Sequence, residues 1–341
     1  MKTQVIQVKR DVGKGDRTLW QAALIIRLGG LVAFPTETVY GLGANALDKA
    51  AILRIFEAKK RPAWDPIIVH ASNLNMLRNL VRVWPAKAEA LAEKFMPGPL
   101  TLLLPKRDII PSVCTAGRDK VGVRIPAHPV ARALIDATQT PIAAPSANLF
   151  GGTSPTTADH VLADLDGRID AVVDAGPVDV GVESTVIDPT QDDPVIYRPG
   201  GITREQIEAV IGPVHIAEHE ISDDVPPQSL ESPGLGIRHY APKAKVILVE
   251  GENELSEVAM TILQHGQKLG LMLPSNWMKR LQCEATVFDW GVWEKPEELA
   301  QRLYAGLRWL DEQQVEVTLC PVPPATGLGV AIRDRLRKAA G

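Results

Sequence analysis

Cysteine is scarce: Cys114, Cys283 and Cys320 are the three in 341 residues, and none sits in a CxxC pair. That spacing argues against a structural zinc finger and against a disulfide framework. Aromatic residues make up 5% of the chain, too few for a run of base-stacking platforms on single-stranded nucleic acid. Neither sign of charge dominates. A net charge of -4 gives no global basic field for tight nonspecific binding to a polyanion. No apolar run is long enough to span a bilayer, and MKTQVIQVKRDVGKGD has neither an apolar core nor a cleavage pattern. A soluble cytoplasmic protein, without membrane contact, is the expectation. Missing motifs narrow the chemistry further. The lack of a GxxxxGKS/T loop disfavours a Walker-type NTPase, and the lack of a GxSxG elbow leaves a serine hydrolase unsupported. No histidine pair has metal-ligand spacing, and Asp164-Leu165-Asp166 and Asp223-Asp224 read as solvated loop charge.

What is present is ordinary globular composition, 45% hydrophobic and 23% charged, in a chain long enough to predict two domains. Asp16 can cap a helix over 17–28 that Gly29-Gly30 would stop, and Asp48 can cap a second with Ala51, Ile52, Ile55 and Phe56 on one face. Strands are predicted at 31–34, 67–69, 100–104, 121–125, 142–144, 171–173 and 184–187. The helices between them are too few and too short for a regular βαβ series, so an α/β domain with a twisted mixed sheet is expected over 1–212. Residues 213–244 carry Pro213, Pro226, Pro227, Pro233 and Pro242 and read as a linker or lid. Over 245–341 the pattern becomes regular, with strands at 246–249, 269–273, 285–288 and 315–319. Helices are predicted at 254–264, 296–310 and 330–338. This predicts a small Rossmann-like three-layer α/β domain with a mostly parallel sheet.

Four features before the linker can carry chemistry. Pro35-Thr36-Glu37-Thr38-Val39-Tyr40-Gly41-Leu42-Gly43 follows a strand. It reads either as a turn with two ordinary glycines or as a place where backbone amides approach a ligand. Lys59-Lys60-Arg61-Pro62 ends the Asp48 helix, either complementing its dipole or clamping a triphosphate. Ala144-Pro145-Ser146-Ala147-Asn148 ends an apolar strand and runs on through Gly151-Gly152-Thr153-Ser154-Pro155. A helix starting near Thr156 or Thr157 would present an anion-favouring N-terminus there. Arg124, Glu183-Ser184-Thr185 and Arg198-Pro199-Gly200 stand at predicted strand ends. Beyond the linker, Gly327-Leu328-Gly329 before a helix is weak evidence for an anion site.

In order, PTETVYGLG, KKRP, IIVHA, VGVRIP, APSAN, GGTSPTTA, ESTVID and YRPGGIT resemble the YrdC-like family. PGLGIRHYAPKAKV and the α/β region after it resemble the family's two-domain members, the threonylcarbamoyl-AMP synthases. The resemblance covers nearly the whole chain and implies a twisted sheet around a concave, positively lined cavity. It also implies a reaction: L-threonine, bicarbonate and ATP give threonylcarbamoyl-AMP and pyrophosphate. A downstream transferase complex then modifies tRNA, with weak direct tRNA contact possible. Lys59 and Arg61 match the basic pair expected on the ATP phosphates, and Ser146 and Asn148 the SxN motif for nucleotide and nascent carbamate. Thr36, His70, Arg124 and Ser184 match threonine-binding positions. Ser154 and Arg198 match the nucleotide side, and Tyr240 is expected to close over it. Mg2+ is expected on the substrate phosphates, without a protein cage. Two departures stand out. Asp65, in Trp64-Asp65-Pro66, replaces the family's usual Asn or His, and would repel phosphate or help to hold magnesium. Leu235-Gly236-Ile237 replaces a Lys-containing segment. Two rival readings remain: carbamoyl transfer from carbamoyl phosphate, whose relatives carry CxxC fingers absent here, and a noncatalytic RNA-binding module.

Overall fold

The computed structural model describes residues 2–12, 17–217, 239–278 and 284–341. Asp16, Asp223, Asp224, Cys283 and the segment 234–238 lie outside them, so the expected Asp16 cap and the Leu235-Gly236-Ile237 departure have no structural account. Strand β1 (Gln4–Gln7), helix α1 (Trp20–Arg27) and strand β2 (Val32–Pro35) lead the chain. Next come β3 (Tyr40–Asn45), α2 (Lys49–Lys59), β4 (Val69–His70), α3 (Leu74–Arg78), α4 (Ala86–Phe95) and β5 (Leu100–Pro105). They are followed by β6 (Lys120–Arg124), α5 (Pro129–Thr138), β7 (Ile142–Ala143), α6 (Ala158–Leu165), β8 (Ala171–Asp174) and β9 (Thr185–Asp188). The first unit closes with β10 (Val195–Arg198), α7 (Arg204–Ile211) and β11 (His215–Ile216).

These strands make one eleven-stranded sheet in the order β1-β8-β2-β3-β7-β4-β6-β5-β9-β10-β11. Parallel and antiparallel pairs alternate irregularly along it, as the mixed-sheet expectation requires. Asp48 caps α2 as its side chain predicts, accepting from the amides of Ala50 and Ala51. Thr157 caps α6. Where the sequence reads a loop, the chain forms β3, paired with both β2 and β7. Gly43 is needed there for packing: a Cβ would sit 2.7 Å from Phe34 and 2.8 Å from Ile142. Asp164 is not solvated loop charge either, because it ends α6 facing Arg308 at 2.7 Å. Pairing of β11 with β10 carries the first sheet past residue 212.

The second unit runs β12 (Lys245–Val249), α8 (Glu252–Gln264), β13 (Leu269–Pro274), β14 (Thr286–Gly291), α9 (Pro296–Glu312), β15 (Val317–Pro321) and α10 (Gly329–Ala340). Its four strands are parallel in the order β12-β15-β13-β14, within three residues of the spans predicted from apolar periodicity. Gly329, the first residue of α10, serves packing, since a Cβ there would meet the Pro324 carbonyl oxygen at 2.1 Å. The two units share a core: Val39 and Val182 of the first pack with Tyr240, Leu303, Tyr304, Leu307 and Leu336. Gly181, at φ 77°, lets the backbone of α9 come close, since any Cβ there would lie 2.4 Å from the Ala300 carbonyl oxygen. No helix among the described residues is long and apolar enough to cross a membrane.

Candidate active site

Strand ends converge on one cavity, with about 590 Å³ of empty space when its open mouth is included. The β2–β3 turn supplies Thr36 and Thr38, β4 supplies His70, and β6 supplies Arg124, which sits beside His70 in the parallel β4–β6 register. The segment after β7 adds Ser146. Glu183 and Ser184 come from just before β9, Arg198 from the end of β10 and Arg61 from just beyond α2. His239 and Tyr240 arrive from the far side of the linker. Three guanidinium groups and one carboxylate therefore face the same space, an arrangement suited to an anion.

Each guanidinium is buried and oriented. Arg61 is 9% exposed. It pairs with Asp65 at 2.9 Å and donates to the Asp65 and Pro66 carbonyls at 3.1 and 2.7 Å. Arg124 pairs with the buried Glu37 and donates to Thr38 Oγ1 at 3.3 Å. Thr38 is in turn tied to Thr36 by a hydroxyl pair at 2.8 Å, while the Thr36 hydroxyl donates to the Val39 carbonyl. Arg198 donates twice to the Ser184 carbonyl, at 3.0 and 3.1 Å, and once to the Ser184 hydroxyl. That hydroxyl also meets Thr101 at 2.8 Å. Gly200 makes the approach possible: a Cβ there would lie 2.3 Å from the Glu183 carbonyl oxygen.

The structure separates the predicted site residues into two groups. Thr36, Arg61, His70, Arg124, Ser146, Ser184, Arg198 and Tyr240 line the cavity; Lys59, Asn148 and Ser154 do not. The Lys59 ammonium is turned toward the loop after β7, where it donates to the Ser146 carbonyl at 2.6 Å and to the Asn148 carbonyl. Asn148 braces the same loop by donating to the Leu149 and Gly152 carbonyls, while its Oδ1 is buried without a protein partner. Ser154 is wholly buried and donates to Glu183 at 2.7 Å. Sequence reasoning missed Glu37 and Thr38, which orient Arg124, and it gave Glu183 no role. All three lie inside recognised segments, but no local signal tells which way their side chains point.

Asp65 is not phosphate-repelling surface; it is the fully buried counterion of Arg61. His239 stands 3.8 Å from it with its ring edge-on to Phe150. This contact is not an ion pair, because burial first and then Arg61 push the imidazole down to about 3 and keep it neutral. Burial does the same at His70, to about 3, and at His128 and His160, to about 4. These folded-state values lie below the ordinary 6.5, so the unfolded chain binds protons that the folded one refuses. Stability is therefore expected to be full above pH 6.5 and to fall as the pH drops toward 4. Each histidine contributes up to about 1.4 kcal/mol per pH unit. Thermal melts at pH 7.5, 6 and 5 would test this, and an unchanged Tm would refute it.

Comparison with known proteins places these observations in context. The Sua5/YciO/YrdC family model, described as telomere recombination, matches residues 24–200. The model of the threonylcarbamoyl-AMP synthase C-terminal domain matches residues 202–341. A threonylcarbamoyl-AMP synthase of Pyrococcus abyssi is 46% identical over 94% of this chain and 93% of its own length. One from Bacillus subtilis is 45% identical over 100% and 99%. The crystal structure of P. abyssi Sua5 complexed with L-threonine superposes with a TM-score of 0.91 at 44% identity, covering 99% of this chain and 98% of that one.

Proposed function

The chain belongs to the Sua5/YciO/YrdC family, in the two-domain form that ends in a threonylcarbamoyl-AMP synthase C-terminal domain, and we propose that its cavity makes L-threonylcarbamoyl-AMP from L-threonine, bicarbonate and ATP. The enzyme makes an AMP-linked intermediate in the threonylcarbamoyladenosine modification of tRNA. One observation carries the assignment of the cavity: Arg61, Arg124 and Arg198 face a single space together with the hydroxyls of Thr36, Ser146 and Ser184.

In the reaction, an oxygen of the threonine carbamate attacks the α-phosphorus of ATP, an O–P bond forms, and the bond to the β-phosphate breaks to release pyrophosphate. Two anions must be held together, so positioning and fixed positive charge outweigh acid–base catalysis. Arg61 and Arg198 take the triphosphate. Arg124, with His70, Thr36 and Ser184, takes threonine. Neutral His70 suits a subsite that also hosts a cation such as the threonine ammonium. Lys59 fixes the Ser146–Asn148 loop against the nucleotide, Ser154 holds the cavity carboxylate Glu183, and Tyr240 covers the opening. Among the described residues, no group of three His, Cys, Asp or Glu side chains is placed to hold a metal ion. Asp65 and Glu183 are each committed to an arginine. Mg2+ would arrive on the ATP phosphates and offset their charge there. Transfer to tRNA falls to a downstream complex, with at most weak RNA contact here.

Pyrophosphate release measured with ATP, threonine and bicarbonate, omitting each in turn, tests the reading: release must need all three. Asp65→Asn gives a second test. Losing the carboxylate leaves Arg61 buried and unpaired in the empty protein, so the apo Tm is expected to fall. ATP should then bind tighter, and the ATP-induced rise in Tm should exceed that of the wild type. Equal ATP shifts in the two proteins would mean that Arg61 does not meet the nucleotide. Truncation near Lys243 is expected to lower activity and leave a folded first unit, since Glu183 would lose Arg335 and Tyr304. Full turnover by the truncated chain would exclude a lid.

A further inference from the structure

Two side chains of the second unit reach the cavity wall and the residue that covers it at once. Arg335, on α10, is wholly buried. Its Nε donates to Glu183 Oε2 at 2.7 Å, and one terminal nitrogen donates to the Pro199 carbonyl at 2.9 Å. Its guanidinium lies 5.1 Å from the centre of the Tyr240 ring. Tyr304, on α9, donates its hydroxyl to Glu183 at 2.9 Å and stacks on Tyr240 with centroids 5.7 Å apart at 27°. Tyr240 is thus in contact with a ring and a cation that both come from the second unit. It holds a backbone φ of 65°, a left-handed conformation that non-glycine residues keep only when surrounding contacts impose it.

Glu183 and Pro199 are the first-unit ends of the same network. Glu183 lines the cavity beside Ser184, and Pro199 follows Arg198. Burying a cation and a carboxylate together is a poor way to gain stability, because desolvation offsets their attraction. An apolar pair would dock the two units as well. What the charged pair adds is direction: the fork of Arg335 meets a carboxylate and a carbonyl only in one relative placement.

We infer that Arg335 and Tyr304 are positioning residues for the nucleotide side of the cavity, setting Tyr240 and Glu183 together so that docking of the second unit completes the ATP site. This rests on the reading of the cavity as a threonylcarbamoyl-AMP synthase site. The test uses the full chain and the threonine- and bicarbonate-dependent pyrophosphate assay, with Arg335→Gln, Arg335→Lys and Tyr304→Phe alone and in a Tyr240→Ala background. Arg335→Gln is expected to raise the KM for ATP about tenfold or more, and Tyr304→Phe about threefold, with the KM for threonine changed less than about threefold. Arg335→Lys, which keeps the charge but loses the fork, should recover less than half of the loss. In the Tyr240→Ala background Arg335→Gln should add less than about twofold, because its route to the nucleotide is already gone. Tyr304→Phe removes one hydroxyl and keeps the ring, so it answers even if Arg335→Gln does not fold. Wild-type KM for ATP in folded variants, or an undiminished Arg335→Gln effect without Tyr240, would overturn the inference alone. Wild-type protein releasing no pyrophosphate would overturn the functional reading and the inference with it.

Discussion

Lys59→Ala is expected to lower pyrophosphate release by about a thousandfold, with the protein still folded. Lys59 ends α2, only 1% exposed, with its ammonium on the Ser146 and Asn148 carbonyls. Burial, then the charge of neighbouring Arg61, pushes its pKa well below the ordinary lysine value. Two backbone carbonyls face it and accept its hydrogen bonds. Removing it leaves those carbonyls unpaired, at a cost of about 1–3 kcal/mol each, and frees the loop that carries Ser146 toward the cavity. Lys59→Met restores the bulk but not the bonds, and should be almost as inactive. Initial rates and thermal melts on both variants decide the matter. A variant retaining a tenth of wild-type kcat/KM would place Lys59 outside the machinery.

Arg124→Gln is expected to lose stability and threonine affinity together. Arg124 and Glu37 form a buried pair, 3% and 5% exposed, between the β2–β3 turn and the end of β6. Taking away one member leaves a carboxylate without its partner in a low-dielectric site, which costs about 3–5 kcal/mol. Urea unfolding should report that loss directly, and the KM for threonine should rise at least tenfold if Arg124 holds the threonine carboxylate. The Glu37→Gln, Arg124→Gln double variant removes the orphaned charge. It should regain more than half of the stability and none of the threonine affinity. Equal loss of both in the double variant would show that the pair acts as a unit of structure, and would count against a direct contact with threonine.

Much of the architecture is written locally. Asp48 and Thr157 cap their helices because a short side chain one step before the first turn can reach orphan amides. The four parallel strands of the second unit follow from apolar runs bounded by polar turns and amphipathic helices. Other local signals go unread: Thr203 and Gln206 make a reciprocal cap that announces α7. Strand β3 was illegible for a different reason. Its glycines argue against a strand until Phe34 and Ile142 are seen filling the space that side chains would occupy.

By itself, the sequence determined which residue types cluster at strand ends, that the chain holds two α/β units, and that the motifs match a family whose chemistry needs cations and hydroxyls. Only the tertiary structure decided what each of those side chains faces. It turned Lys59 onto the loop after β7 and Asn148 onto that same loop, gave Asp65 to Arg61 and Glu37 to Arg124, and brought Arg335 and Tyr304 from over a hundred residues away to Glu183. The physical reason is range. Capping, periodicity and turn chemistry act over a few residues and are visible along the chain, whereas the partner of a buried charge is chosen by whichever distant segment excludes water from it.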